Sequence, residues 1–289
     1  MELVCELAPE TPNGEITRDT VLSDVGFDSI ACAEFAAAVQ ERFGLDLADG
    51  EVTAVTTAGQ LAEVVDGAAA TGLRDPGIPL GLGRFQGAAK RAIGAAMGWW
   101  FDLEITHPER MPSDGPVVMC MNHESALDIP AAVAASPRPI TFMAKKELFK
   151  SSGTARFVHE LGGFSVERGA FDLRAVEIAL AVLARGQVLG MYPEGTRTPG
   201  VLLPFLPGAA WVGLKTGAPL LPVAIQGTEA ALPPHRRVPK RVPIRVSFGE
   251  PIAVEPVDEQ ALRRKEALRL TGELRGRVAG ILQAQPTVE

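Results

Sequence analysis

Val117-Val118-Met119-Cys120-Met121-Asn122-His123-Glu124-Ser125-Ala126-Leu127-Asp128 sets an apolar run of five residues directly against a polar turn. A run that short and that apolar reads as a strand buried on both faces. The turn holds His123 and Asp128 five positions apart, a separation that lets two side chains meet across a turn at a helix start. A histidine with a pKa near neutrality can take the proton of a hydroxyl group. A carboxylate beside it can fix the ring tautomer and stabilise the imidazolium. No serine or cysteine nucleophile is then required, because an acceptor hydroxyl can attack an activated carbonyl directly. Alone, a histidine and an aspartate at this spacing arise often by chance, so the rest of the chain decides what the pair means.

Downstream, short apolar runs alternate with helical patterns. The stretches PITFMAK, GQVLGMYPEG, PLLPVAIQG and RVPIRVSFGEPI read as containing buried strands, and residues 154–162, 171–186 and 257–283 read as helices. That alternation predicts an α/β domain with a mostly parallel sheet. In such sheets function sits in the loops at strand ends. Three further blocks stand out: Gly162-Gly163-Phe164-Ser165-Val166-Glu167-Arg168-Gly169, Tyr192-Pro193-Glu194-Gly195-Thr196-Arg197 and Pro219-Leu220-Leu221-Pro222-Val223-Ala224-Ile225. Arg197 is a physically sensible phosphate ligand, since guanidinium can bind phosphate through two parallel hydrogen bonds. Gly195 permits close approach of the backbone. Read in isolation, Arg168 and Arg197 are equally consistent with surface ion pairs, and Glu194 with a structural partner for an arginine. Lys145 and Lys146 follow a strand and suit either phosphate binding or solvation.

The N-terminal part has a different character. The net charge of −7 over 289 residues is unevenly spread: the first 75 residues carry 15 acidic and 3 basic side chains, and the remainder 20 and 25. An acidic head on a mildly basic body predicts two domains with different tasks. The head should repel nucleic acid and anionic lipid, and the body can attract phosphate groups or an anionic membrane surface. From Ile30, the run IACAEFAAAVQERFG places Phe35, Val39 and Phe43 four residues apart, one buried helical stripe. Asp28 or Ser29 can cap that helix, and Gly44 sits where it should stop. AGQLAEVVDGA reads as the last helix of this domain, and the breaker-rich TGLRDPGIPLGLG as a linker.

These motifs carry two resemblances. Gly26-Phe27-Asp28-Ser29-Ile30 before an acidic amphipathic helix resembles an acyl or peptidyl carrier protein, over roughly residues 10–70. In that family the serine of the motif carries a phosphopantetheine arm, which implies 4'-phosphopantetheine covalently on Ser29 and a phosphopantetheinyl transferase as partner. The four blocks, in this order and spacing, resemble the glycerolipid (1-acylglycerol-3-phosphate) acyltransferase family over roughly residues 85–250. The resemblance implies His123 as catalytic base and Asp128 as its charge partner. It implies Arg168, Glu194, Gly195, Thr196 and Arg197 as acceptor and phosphate-binding residues, and Pro222 near the acyl chain. No metal is required. Where the family often has a proline and bulky apolar residues ahead of the second block, this chain reads Ser151-Ser152-Gly153-Thr154, so the acceptor's identity stays open.

The expected organisation is two domains. An all-α four-helix carrier bundle over residues 1–72 is followed by a linker at 73–84 and an α/β acyltransferase domain at 85–289. The expected reaction moves an acyl group from a phosphopantetheine thioester to a hydroxyl acceptor. The donor is the chain's own carrier domain or acyl-coenzyme A, and the acceptor typically lysophosphatidic acid, giving phosphatidic acid. One alternative is an acyltransferase of a specialised, polyketide-type pathway acting on a non-lysolipid or carrier-tethered hydroxyl. A third reading is a non-catalytic carrier and docking protein. Nucleic acid is not an expected partner. MELVCELAPE has no basic start or apolar run of a secretory signal, and no stretch approaches the ~20 apolar residues of a spanning helix. The expected location is the cytoplasm, with peripheral attachment to the inner face of the membrane. Arg84, Lys90 and Arg91 ahead of Trp99, Trp100 and Phe101 suit a membrane-surface helix, although the same aromatics could equally pack into the core. Cys5, Cys32 and Cys120 are scattered and odd in number, which predicts small apolar residues rather than a disulfide framework or zinc site.

Overall fold

The computed structural model describes residues 16–27, 31, 35, 39, 55, 57–71, 86–145, 163–166, 173–236, 238–257 and 260–284. The chain divides into two compact units, residues 1–79 with 165–178 and residues 80–164 with 179–289.

In the first unit, Leu22–Val25 forms a 3-10 turn closed by Gly26, and an isolated antiparallel bridge joins Val21 to Thr57. The stretch read as the last helix of the N-terminal domain is α1, Ala58–Thr71. It is tied to the chain ahead of the turn by Ala58 N–H to Thr20 O at 2.9 Å and Gly59 N–H to Arg18 O at 2.8 Å. Of the stripe expected after Ser29, Phe35 and Val39 are helical and buried, as is Ala31. Phe27 meets Phe35 edge-on with ring centroids 6.0 Å apart. Ile30, Phe43, Cys5 and Cys32 lie outside the described residues, as does the linker.

The second unit holds all but Ser165 and Val166 of a seven-stranded sheet in the order β1-β7-β6-β2-β5-β3-β4. The strands are β1 Glu104–Thr106, β2 Val117–Met121, β3 Ile140–Lys145, β4 Gly163–Val166, β5 Val188–Met191, β6 Leu220–Gln226 and β7 Arg245–Phe248. Strands β6, β2, β5 and β3 run parallel to one another, and β7, with β1 parallel to it, runs antiparallel to β6. The mostly parallel sheet expected from sequence is therefore present, with an antiparallel joint between β6 and β7. β2 is buried at every position because helices cover both its faces.

Side-chain alternation assigns those faces. Val117, Met119 and Met121 of β2, Leu221, Val223 and Ile225 of β6, and Phe248 of β7 form one cluster with Met97, Phe101 and Ala132. These last three belong to α2, Gln86–Phe101, and α3, Asp128–Ala135. On the opposite face Leu220 packs under Gly213 of α5, Gly208–Thr216, and Pro222 lies beside Gly249 and Ile281. Ile281 belongs to α7, Gln260–Ala284, which packs on β6 and α5. The helix expected over 171–186 is α4, Leu173–Ala184, and a four-residue helix α6, Thr228–Ala231, follows β6. The region 154–162 lies outside the described residues.

The aromatic cluster at the end of α2 divides between core and solvent. Phe101 enters the core, while Trp99 is 73% and Trp100 37% exposed. Cys120 is fully buried and burial drives its thiol well above the usual range, so it behaves as a small apolar residue.

Gly227 joins β6 to α6 with φ +86°, and a Cβ placed there would lie 2.2 Å from the Pro243 carbonyl oxygen. Only glycine fits both constraints. Gly227→Ala is expected to cost about 1–3 kcal/mol for the left-handed backbone alone, with the overlap adding to it. Thermal and urea midpoints check this, and an unchanged midpoint would refute the constraint.

Candidate active site

Strands β2, β5 and β6 are neighbours and parallel, so their C-terminal ends lie along one edge of the sheet. The residues after β2 carry His123 and Asp128, those after β5 carry Tyr192 to Arg197, and those after β6 carry Thr228. Topology alone brings three loops together that are far apart in sequence.

Asn122 anchors the first loop. Its side-chain amide donates to Ile225 O at 2.9 Å and accepts from Ile225 N–H at 2.8 Å, extending the pairing of β2 with β6 by one residue. The next residue, His123, is therefore held at the sheet edge. Its Nδ1 lies 2.7 Å from Asp128 Oδ2, with both side chains buried. The same Oδ2 accepts Glu124 N–H at 2.8 Å and Ser125 N–H at 2.9 Å, and Oδ1 accepts the Thr228 hydroxyl at 2.5 Å. Asp128 opens α3, where the helix N-terminus also favours negative charge. An ionised carboxylate only accepts, so Nδ1 carries the proton and Nε2 is left with its lone pair, the form a general base needs.

The second loop buttresses the first. Glu194 is buried, with Oε1 accepting His123 N–H at 2.8 Å and Oε2 accepting Leu203 N–H at 2.9 Å. Thr198 N–H returns to His123 O at 2.8 Å. Gly195 has φ +68° and closes the turn through its N–H to Tyr192 O at 3.0 Å. Tyr192 stacks on His123 with centroids 4.1 Å apart, and on Phe142 at 6.3 Å, which restrains the imidazole plane. Thr196 and Arg197 are exposed, and among the described residues neither makes a hydrogen bond or ion pair. Arg197 is thus free to meet an anion from solvent. Arg275 of α7 holds the far side of this loop through Leu202 O and Leu203 O, each at 2.9 Å.

The structure brings His123, Asp128, Glu194, Gly195, Thr196 and Arg197 into one region. Glu194 makes its two bonds to backbone N–H groups rather than to a guanidinium. Ser29, Arg168 and Lys146 lie outside the described residues, and Lys145 is placed only as the last residue of β3. Sequence reading overlooked Asn122, Tyr192 and Thr228 as contributors. Thr228 sits in a Gly-Thr step after β6 that carries no distinctive signal. Among the described residues no group of His, Cys, Asp and Glu side chains is arranged to hold a metal ion.

Charge at the site is uneven. Glu124 is half-buried, and burial, then Asp128, Glu229 and Glu194, push its carboxyl up to about 7. Glu194 is also raised, first by burial. For Glu124 the folded state binds the proton more tightly than the unfolded state. Stability should therefore fall as pH rises from about 4.5 to about 7 and level off above. Glu124→Gln removes that slope, worth about 2 kcal/mol after solvent screening. Urea midpoints at pH 5 and pH 8 measure it, and parallel pH profiles for wild type and variant would refute the assignment.

Comparison with known proteins agrees with this architecture. A family model described as Acyltransferase matches residues 102–226, and one described as Phosphopantetheine attachment site matches residues 1–65. A 1-acyl-sn-glycerol-3-phosphate acyltransferase of Bacillus subtilis is 29% identical over 151 residues, 52% of this chain and 73% of that protein. The human 1-acyl-sn-glycerol-3-phosphate acyltransferase beta is 31% identical over 127 residues, 42% of this chain and 45% of that protein. The chain thus spans less than half the length of the human relative. The crystal structure of the 1-acyl-sn-glycerophosphate acyltransferase of Thermotoga maritima superposes with a TM-score of 0.51 at 24% identity, covering 86% of this chain and 95% of that one. That likeness concerns the fold. The chain thus joins an N-terminal phosphopantetheine-attachment domain to an acyltransferase domain of the 1-acylglycerol-3-phosphate O-acyltransferase-like kind.

Proposed function

We propose that this chain transfers an acyl group from a phosphopantetheine thioester, carried on its own Ser29, to a hydroxyl acceptor. Lysophosphatidic acid, giving phosphatidic acid, is the acceptor to which the named relatives point. The observation that carries the reading is the buried His123–Asp128 pair at 2.7 Å, with its basic nitrogen unengaged by the carboxylate. His123 Nε2 accepts the acceptor's hydroxyl proton as that oxygen adds to the thioester carbonyl. The imidazolium then returns the proton to the departing thiolate, so the base is regenerated. Asp128 holds the tautomer and stabilises the imidazolium throughout. Exposed Arg197, with Arg168, supplies positive charge for an acceptor phosphate. Thr196 and the backbone at Gly195 line the same side, and Glu194 holds the loop in place.

The carrier half rests on the match over residues 1–65 and on the buried Phe27, Ala31, Phe35 and Val39, which flank and follow Ser29 in sequence. We take this half as a four-helix bundle over residues 1–72, joined by residues 73–84 to the acyltransferase domain at 85–289. A phosphopantetheine arm on Ser29 supplies the thioester, and acyl-coenzyme A is the alternative donor. A tethered donor reaches millimolar effective concentration. Exposed Trp99 and Trp100 support peripheral contact with the inner face of the membrane. Among the described residues no helix is long and apolar enough to cross a membrane.

A second reading is favoured by the fused carrier itself. A chain with a private carrier suits a specialised pathway whose acceptor is a non-lysolipid or carrier-tethered hydroxyl. Intact mass separates the two. Incubation with coenzyme A and a phosphopantetheinyl transferase should add one phosphopantetheine to the wild type and none to Ser29→Ala. Loading with acyl groups and addition of lysophosphatidic acid should unload the carrier. His123→Ala should slow that unloading about a hundredfold or more. Modification without unloading would move the assignment to another acceptor. Undiminished transfer by folded His123→Ala would overturn the mechanism.

A further inference from the structure

Asp128 has two oxygens and four donors, distributed three to one. Oδ2 takes His123 Nδ1, Glu124 N and Ser125 N, while among the described residues Oδ1 takes only the Thr228 hydroxyl, at 2.5 Å. Both Asp128 and Thr228 are fully buried. Water therefore has no ready access to replace the hydroxyl, and an unpaired carboxylate oxygen there carries a desolvation cost. The donor is also aimed by the backbone. Gly227, at φ +86° where any other residue is strained, turns the chain from β6 into α6. The far end of α6 is tied back to the same loop by the Ser125 hydroxyl donating to Leu232 O at 2.9 Å. Two bonds thus brace this four-residue helix against the loop that carries the base.

We infer that Thr228 is a positioning residue for the proton transfer proposed above: its hydroxyl locks the Asp128 carboxylate so that Oδ2 stays in line with His123 Nδ1. It touches neither donor nor acceptor and acts through Asp128 alone. With Oδ1 engaged, rotation of the carboxylate would break a short hydrogen bond, so the imidazole keeps one partner and one tautomer. The hydroxyl also withdraws charge from the carboxylate. Without it, more negative charge faces the ring, the imidazolium is held more tightly, and the base needs a higher pH to become free. Among the described residues the other ionisable groups of this region are Glu124 on the same loop, Tyr192 and Glu194 after β5, and Glu229 of α6, which acts on Glu124.

This inference rests on the acyl-transfer reading, so its test has an arm that needs no turnover. Thr228→Val keeps the shape and removes the donor, and Thr228→Ser keeps the donor. In full-length protein, nitrogen-15 NMR should show the His123 imidazole of Thr228→Val titrating at higher pH than wild type, with the other three histidines unmoved. Thr228→Ser should follow the wild type. In the transfer assay Thr228→Val should lose about tenfold or more in kcat with the acceptor KM unchanged, and Thr228→Ser should recover most of it. Should Thr228→Val fail to fold, Thr228→Ala serves the same comparison. An unmoved His123 titration in the folded variant overturns the inference, as does Thr228→Ser behaving like Thr228→Val. Absence of transfer by wild type with a moved His123 titration would instead fault the acyl-transfer reading and leave the Thr228 link standing.

Discussion

A charged carboxylate with no solvent contact is the constraint on which this site is built. Asp128 is wholly buried, and an isolated ion there would be prohibitively costly. It is tolerated because both of its oxygens are hydrogen-bonded, to one imidazole, two backbone N–H groups and one hydroxyl. Satisfying that anion shapes the backbone. Glu124 and Ser125 must turn their N–H groups inward, which coils the loop and starts α3 at Asp128 itself. The same coil leaves the histidine at the sheet edge. The tautomer of His123 is thus a consequence of how the fold solves a solvation problem.

The parallel sheet supplies the second requirement, a common edge. Because β2, β5 and β6 point the same way, the residues following each strand arrive together. Glu194 then repeats the logic of Asp128 on a smaller scale: a buried carboxylate whose two oxygens are both taken by backbone N–H groups. Burial is the leading cause that raises the carboxyls of Glu194 and Glu124, and the neighbouring Asp128 adds to both. The floor of the site is therefore acidic, and the exposed Arg197 stands at its rim.

Much of this was legible in the sequence, for identifiable reasons. The strands β2, β5 and β6 are continuous apolar runs, which only burial on both faces explains. The spacing of His123 and Asp128 across a turn foretold their contact, and the Gly195 position foretold a tight backbone. What was not legible depends on long-range geometry. The short β1 has two exposed residues and no apolar pattern, and pairs only because Ile244 and Phe101 bring β7 alongside. The reversal of β7 leaves no trace in a run of residues that would serve either direction. Thr228 lies 100 residues from Asp128, and nothing local distinguishes its hydroxyl from that of a threonine starting any short helix. Trp99 and Phe101 are two residues apart on one helix, so composition could not say which faces the core.

The bond from His123 N–H to Glu194 gives a physical account of why the two sequence blocks carry meaning together and little apart. A histidine and aspartate at this spacing can form their own contact on any turn. The loop holding them still has a backbone N–H that must be satisfied once buried, and the carboxylate of the Pro193-Glu194-Gly195 turn meets it. Thr198 N–H closes the reciprocal bond to His123 O. The blocks are two halves of one hydrogen-bonded unit, spliced across β2 and β5. Substitutions in one half should then couple to those in the other, since each removes a partner the other half was built around. An aspartate-histidine pair without this brace would have the chemistry of a base and lack its fixed position.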